Sequence, residues 1–155
     1  MFWRFLILLF FCSAALAQDF SARWVADTPN KLAEEKPPGY VFDITINNID
    51  QLSAVLNRAE KLQEQFSPND HGRIALVLHG DELNLFRKKN YTKFMSIVDQ
   101  ARQLDSQNLV DIKACKTMMN FMQIQQSELP DFIEQVPLAP AEIERLVKQK
   151  GYTRL

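Results

Sequence analysis

Residues Ile74 to Leu78 read IALVL, five apolar side chains in succession with no polar alternation. A short run of that kind, β-branched and bounded by polar segments, suits a strand covered on both faces, which is the environment of a parallel sheet. The neighbouring segments agree. Tyr40 to Ile46 (YVFDITI) is rich in aromatic and β-branched residues and reads as a first strand. After a cap at Asn47 or Asn48, Leu52, Val55, Leu56, Ala59 and Leu62 recur at helical spacing. Ser67-Pro68-Asn69-Asp70 forms a loop before IALVL. Beyond it, 81–105 is expected to be helical with a break near Lys89-Asn90, turning Tyr91, Phe94, Met95, Val98, Ala101 and Leu104 inward.

Leu109 to Ala114 reads as a third strand, Thr117 to Gln125 as a short helix apolar nearly all round, and Val136 to Leu138 as a fourth strand. A last helix is punctuated by Pro140, Glu142 and Glu144 at its start, and by Lys148, Lys150 and Gly151 at its end. Its buried face is Ile143, Leu146 and Val147, and Tyr152 to Leu155 can add a fifth strand. Strands alternating with helices through short connections imply right-handed crossovers. The expected fold class is α/β: a three-layer α/β/α sandwich with a mainly parallel sheet of about five strands.

The chain begins with one positive charge at Arg4, an apolar stretch from Phe5 to Leu16, and Ala15-Leu16-Ala17 ahead of polar Gln18-Asp19. This is the pattern of a secretory signal cleaved after Ala17, and the apolar run falls short of the ~20 residues that cross a bilayer. The expected organisation is a signal peptide at 1–17, an irregular arm at 18–39 broken by Pro29 and Pro37-Pro38-Gly39, and a domain at 40–155. Trp24 and Phe20 would pin the arm to the body or to a neighbouring subunit. The expected location is periplasmic, with no stable membrane insertion after cleavage. Cys12 leaves with the leader, so one of the two cysteines, Cys115, remains. A single thiol outside the cytosol closes no internal disulfide, and it is either packed away or put to use.

In an open parallel sheet, ligands bind at the carboxyl ends of the strands. Two reactive side chains fall there. His79-Gly80 follows IALVL, and Cys115 follows Ala114 just before the expected helix at Thr117, with Lys113 and Lys116 near it in sequence. A helix N-terminus and nearby cations favour a thiolate. Each residue also has a plainer explanation: Cys115 as a small packed hydrophobe, His79 as a hydrogen-bonded strand terminus, Gly80 as a tight turn. His71, in Asn69-Asp70-His71-Gly72, reads as solvated, and Asp81 and Glu82 as caps of the next helix. Cys115, Met118, Met119 and Met122 could offer soft ligands to Cu(I), although Phe121 and Ile124 make a Met-rich core or subunit contact the better reading.

The net charge of −1 excludes a partner recognised mainly through phosphates, so no nucleic acid is expected. Only four glycines occur, and there is no phosphate-binding loop, His-Glu-x-x-His, Cys-x-x-Cys or Gly-x-Ser-x-Gly. No cofactor and no metal is called for, and no complete catalytic set argues for turnover.

In order, the first strand, IALVLHGDELNLF, VDIKACKTMM and the closing Lys-Gly-Tyr tail resemble the DsrE/DsrF-like superfamily over roughly residues 40–155. The resemblance implies a five-stranded parallel sandwich and homo-oligomers, trimers or hexamers. It also implies sulfur handling in which a cysteine, here Cys115, accepts sulfane sulfur as a persulfide, with His79 matching the family's His-Gly turn. Partners would be sulfur donor and acceptor proteins or small sulfur compounds. The leader departs from relay members that work in the cytoplasm. The competing expectation is a non-enzymatic oligomeric binding or assembly module with a structural Cys115.

Overall fold

The computed structural model describes residues 36–67, 70 and 73–155. The expected leader, most of the arm, Cys12 and His71 lie outside the described residues.

Five strands form one sheet: β1 (Tyr40–Ile44), β2 (Ile74–Leu78), β3 (Val110–Cys115), β4 (Glu134–Val136) and β5 (Thr153–Arg154). Every pairing is parallel and the order is β4-β3-β2-β1-β5. The helices are α1 (Ile49–Gln63), α2 (Tyr91–Ser106), α3 (Lys116–Phe121) and α4 (Ala139–Lys150). Among the described residues, no helix is long and apolar enough to cross a membrane. The expected three-layer α/β/α sandwich is the architecture observed.

The two layers of core are unequal. On one face, Phe42, Ile44, Leu76, Leu78 and Ile112 pack with Leu52, Leu56 and Ala59 of α1 and with Ile97, Val98, Ala101 and Leu104 of α2. On the other, Val41, Ala75, Val77 and Cys115 pack with Ala139, Ile143 and Leu146 of α4, and Met118, Val147 and Tyr152 add to the cluster. All five side chains of β2 are buried, so IALVL is apolar throughout because both of its faces are covered.

Local signals account for several element ends. Asn48 caps α1, its side chain accepting the N–H of Asp50 at 2.7 Å. Gly151 ends α4 in the left-handed region at φ 72°.

Several expected boundaries and one buried stripe shift, for local reasons. In the span 81–105 the expected break at Lys89-Asn90 is present, but the part before it is not α-helical: 3₁₀ turns occupy Asp81–Asn84 and Lys88–Asn90, and α2 begins at Tyr91. Inside α2, Phe94 has non-helical angles (φ −121°, ψ 24°), which rotates the stripe. Met95 therefore faces solvent at 52% exposure, and Ile97 takes the buried position. The short helix ends at Phe121 rather than Gln125, because Gln123 adopts φ 54°. The N–H groups of Gln123 and Ile124 then return to the carbonyls of Asn120 and Met119 in a Schellman closure. That helix is not apolar all round either, since Phe121 is 83% exposed. Finally, β4 stops at Val136, ahead of the expected 136–138, since Pro137 has no N–H to give a ladder.

Candidate functional site

The order of strands reverses at β1, which has β2 on one side and β5 on the other. Ligand crevices of open α/β sheets form at such a reversal, at the carboxyl ends. Here the crevice is a cleft of about 350 Å³ between that edge and α4. Asp43 of β1, His79 after β2 and Arg154 of β5 line its polar side, and Pro140, Ile143 and Val147 of α4 line its apolar side.

The polar side is a linked trio. His79 Nε2 lies 2.5 Å from Asp43 Oδ1, so this nitrogen donates its N–H to the carboxylate and the ring is oriented with Nδ1 away from Asp43. The other carboxylate oxygen of Asp43 accepts from the Arg154 guanidinium. Asp43 thus orients the histidine and ties it to the last strand. Strand alternation explains its direction: Val41 and Asp43 share the α4 face of β1, while Phe42 and Ile44 face the larger core. Sequence reading found His79 but missed Asp43 and Arg154. An acidic residue amid YVFDITI was the available signal for Asp43. Nothing local marked Arg154, because the contact spans 111 positions.

At the rim, Lys148 pairs with Glu144 one helical turn away, and this contact holds the Glu144 carboxyl below its ordinary range.

Cys115 is the last residue of β3, not a loop residue after it, and is 3% exposed. It belongs to the smaller core cluster with Val41, Ala75, Val77, Ala139, Ile143 and Leu146, against which Met118 also packs. The Sγ atom accepts the backbone N–H of Ala139 at 3.4 Å. The helix that meets the sulfur is therefore α4, which follows the neighbouring strand β4 and covers the same face, and not the helix expected at Thr117. Thr117 instead ties its N–H and hydroxyl to the carbonyl of Pro137. Ile143 belongs both to the packing around Cys115 and to the lining of the His79 cleft.

Two other expected neighbours are engaged elsewhere. Lys113 is buried, its ammonium on Glu134 of β4 and 3.8 Å from Glu142 of α4, while Lys116 is exposed. Glu142 is held below the usual carboxylate range, first by its hydrogen bond to Arg145. Asp111, two positions before Lys113, is pushed up by burial, with Lys113 opposing and Glu134 and Glu142 adding to the rise. Of the soft ligands, Met118 packs against the cluster that holds Cys115, whereas Met119 and Met122 pack with the larger core, so the four do not gather at one point.

Glu82 does not cap a helix. It is 0% exposed, and its carboxylate accepts the N–H of Ile46 at 2.8 Å and that of Gly80 at 2.7 Å. It joins the chain just beyond β1 to the chain just beyond β2. Gly80 makes room for it, since a Cβ there would stand 2.7 Å from Glu82 Oε2 and 3.0 Å from Thr45 Cα.

No family model matches the chain, and no curated protein sequence does. A solved structure does match: the protein of unknown function MTH1491 from Methanobacterium thermoautotrophicum, with a TM-score of 0.61 and 17% identity, covering 75% of this chain and 96% of that one. At that identity the likeness is one of fold, a parallel α/β sandwich shared across most of both chains.

Proposed function

We propose that the protein is a non-enzymatic binding and assembly module in which Cys115 is structural. The observation that carries this reading is the 3% exposure of Cys115 among aliphatic side chains, with its sulfur satisfying the Ala139 N–H. The surface supports it. Among the described residues, the large exposed apolar side chains are Ile49, Met95, Phe121 and Leu138, which lie in the segments that follow β1, β2, β3 and β4. Sedimentation equilibrium over a range of concentrations tests it. Phe121→Ser should weaken self-association, whereas Cys115→Ser should leave it unchanged. A wild-type chain that stays monomeric throughout, or a Phe121→Ser chain that associates as before, refutes the reading.

A second reading has its own support: a periplasmic sulfur-handling protein of DsrE/DsrF-like type. The Cys115 sulfur already faces an N–H at the start of a 12-residue helix, and the cleft holding the Asp43-oriented His79 shares Ile143 with it. In this reading the first turn of α4 lifts to admit the donor. The Cys115 thiolate then attacks the sulfane sulfur of thiosulfate, forming one S–S bond as another breaks, and sulfite departs with the electron pair. Mass spectrometry after thiosulfate or polysulfide treatment should find the added sulfur on wild type and none on Cys115→Ser. Equal spectra for the two chains exclude sulfur carriage by this residue.

A further inference from the structure

On the opposite side of the sheet from Cys115 lies a larger cavity, about 520 Å³, lined by Phe86, Val98, Tyr91 and Phe132 with Arg102, Lys88 and the Lys88 partner Asp131. Phe86 and Val98 belong to the larger core, and Tyr91 and Phe132 pack against it. We propose that this cavity is a binding site for a planar aromatic carboxylate, independent of both readings of the Cys115 edge. A mostly apolar chamber of this size with a few convergent polar groups is the usual form of a small-molecule site.

The walls are held apart and in place before any ligand arrives. The strand-to-helix connection supplies one wall, and the segment leading into β4 supplies the other. Arg87 reaches across to Glu128 through Nε at 2.9 Å and through Nη2. Glu128 is itself fixed by accepting the Gln125 N–H. Pre-set walls of this kind reduce the ordering cost of binding.

The polar end selects charge. The Arg102 guanidinium stands 5.9 Å from the centre of the Tyr91 ring and 5.5 Å from that of Phe132, held over both by cation–π attraction. Asp99 fixes it by accepting from Nη1 at 2.7 Å, and Tyr91 donates its hydroxyl to the same carboxylate at 3.0 Å. Among the described residues Asp99 is the hydrogen-bond acceptor of Arg102, which leaves Nε and Nη2 as a fork for a carboxylate. Lys88 is the second cation. Its partner Asp131 is 98% exposed, and such a pair is weak enough for a ligand carboxylate to replace. Phe86 and Val98 then take the apolar body of the ligand, with the rings of Tyr91 and Phe132 beside it.

Isothermal titration of the full chain with 2-naphthoate tests the assignment, with 2-naphthalenemethanol as the uncharged analogue. The acid should bind saturably at one site, and the alcohol at least about tenfold more weakly, since hydrogen bonds to a charged group are lost. Arg102→Gln should weaken the acid by a similar factor and leave the alcohol unchanged. Lys88→Gln, on the opposite wall, should move the acid in the same direction. Both substituted side chains are half-exposed, and an unchanged thermal midpoint confirms that each variant folds. The proposal is overturned by the absence of saturable binding, by an acid and an alcohol that bind alike, or by an Arg102→Gln chain that binds the acid as wild type does.

Discussion

Ala139 gives its backbone N–H to the sulfur of Cys115 across 3.4 Å, linking the end of β3 to the start of α4. Pro137, two residues earlier, takes the N–H and hydroxyl of Thr117 on its carbonyl. The two contacts fasten the β4-to-α4 connection over the cysteine, so replacing the sulfur has a structural consequence whichever function the edge serves. Cys115→Ala should lower unfolding free energy by about 1–2 kcal/mol, because it empties volume in the smaller core and leaves a buried donor without an acceptor. Cys115→Ser keeps an acceptor for Ala139 but places a hydroxyl among aliphatic groups. Urea titration of the three chains measures this, and an Ala variant as stable as wild type contradicts it.

Glu82 offers a sharper case. Its carboxylate is the acceptor for two backbone N–H groups at the ends of neighbouring strands, and no water replaces it at 0% exposure. Glu82→Ala should cost about 2–4 kcal/mol, because two part-buried N–H donors lose a charged acceptor. Glu82→Gln, which keeps one acceptor oxygen, should lose less. The ranking is read from denaturant midpoints, and a reversed order removes the assigned role.

Gly80 depends on the same carboxylate. Its angles (φ −131°, ψ −156°) are open to any residue, so the requirement is for space and not for conformation. Gly80→Ala should destabilise wild type and cost less in the Glu82→Ala background, where the nearest obstacle is gone. A coupling of at least about 0.5 kcal/mol in the double-mutant cycle is expected for residues in contact. Strictly additive losses would show that the two do not compete for the same volume.

Asp111 gives the pH prediction. Burial, with Glu134 and Glu142 adding, raises its folded-state titration above the unfolded value. The folded chain therefore holds a proton that the unfolded chain has released, and this residue's contribution falls as pH rises through the folded value. Asp111→Asn should stabilise the protein at neutral pH, by no more than about 1 kcal/mol for a partly exposed group. The gain should fade as pH drops below about 4, where both states are protonated. Thermal midpoints of the two chains across that range decide it. A gain that grows in acid contradicts the sign.

The cleft was half legible in the sequence. His79 stood out as a lone histidine after an apolar strand, and strand alternation on its own could not single out Asp43 from other acids. Arg154 becomes part of the site only because β5 lies beside β1, a pairing between opposite ends of the domain. For the aromatic cavity the sequence carried even less. Tyr91 was assigned inward correctly as a core residue, but Arg102 and Phe132 are 30 positions apart and meet only when the segment before β4 folds back on α2.

The sequence by itself determined the alternation of elements, the coverage of β2 on both faces, the caps of α1 and α4, and hence a parallel layered sheet. These depend on periodicity and on neighbours a few residues away, so they can be read along the chain. Tertiary structure alone decided the order of the strands, the seal over Cys115, and the fact that α4, not the helix following the cysteine, presents its N–H to the sulfur. Those outcomes depend on which distant segments share a face of the sheet, and local spacing holds no record of that choice.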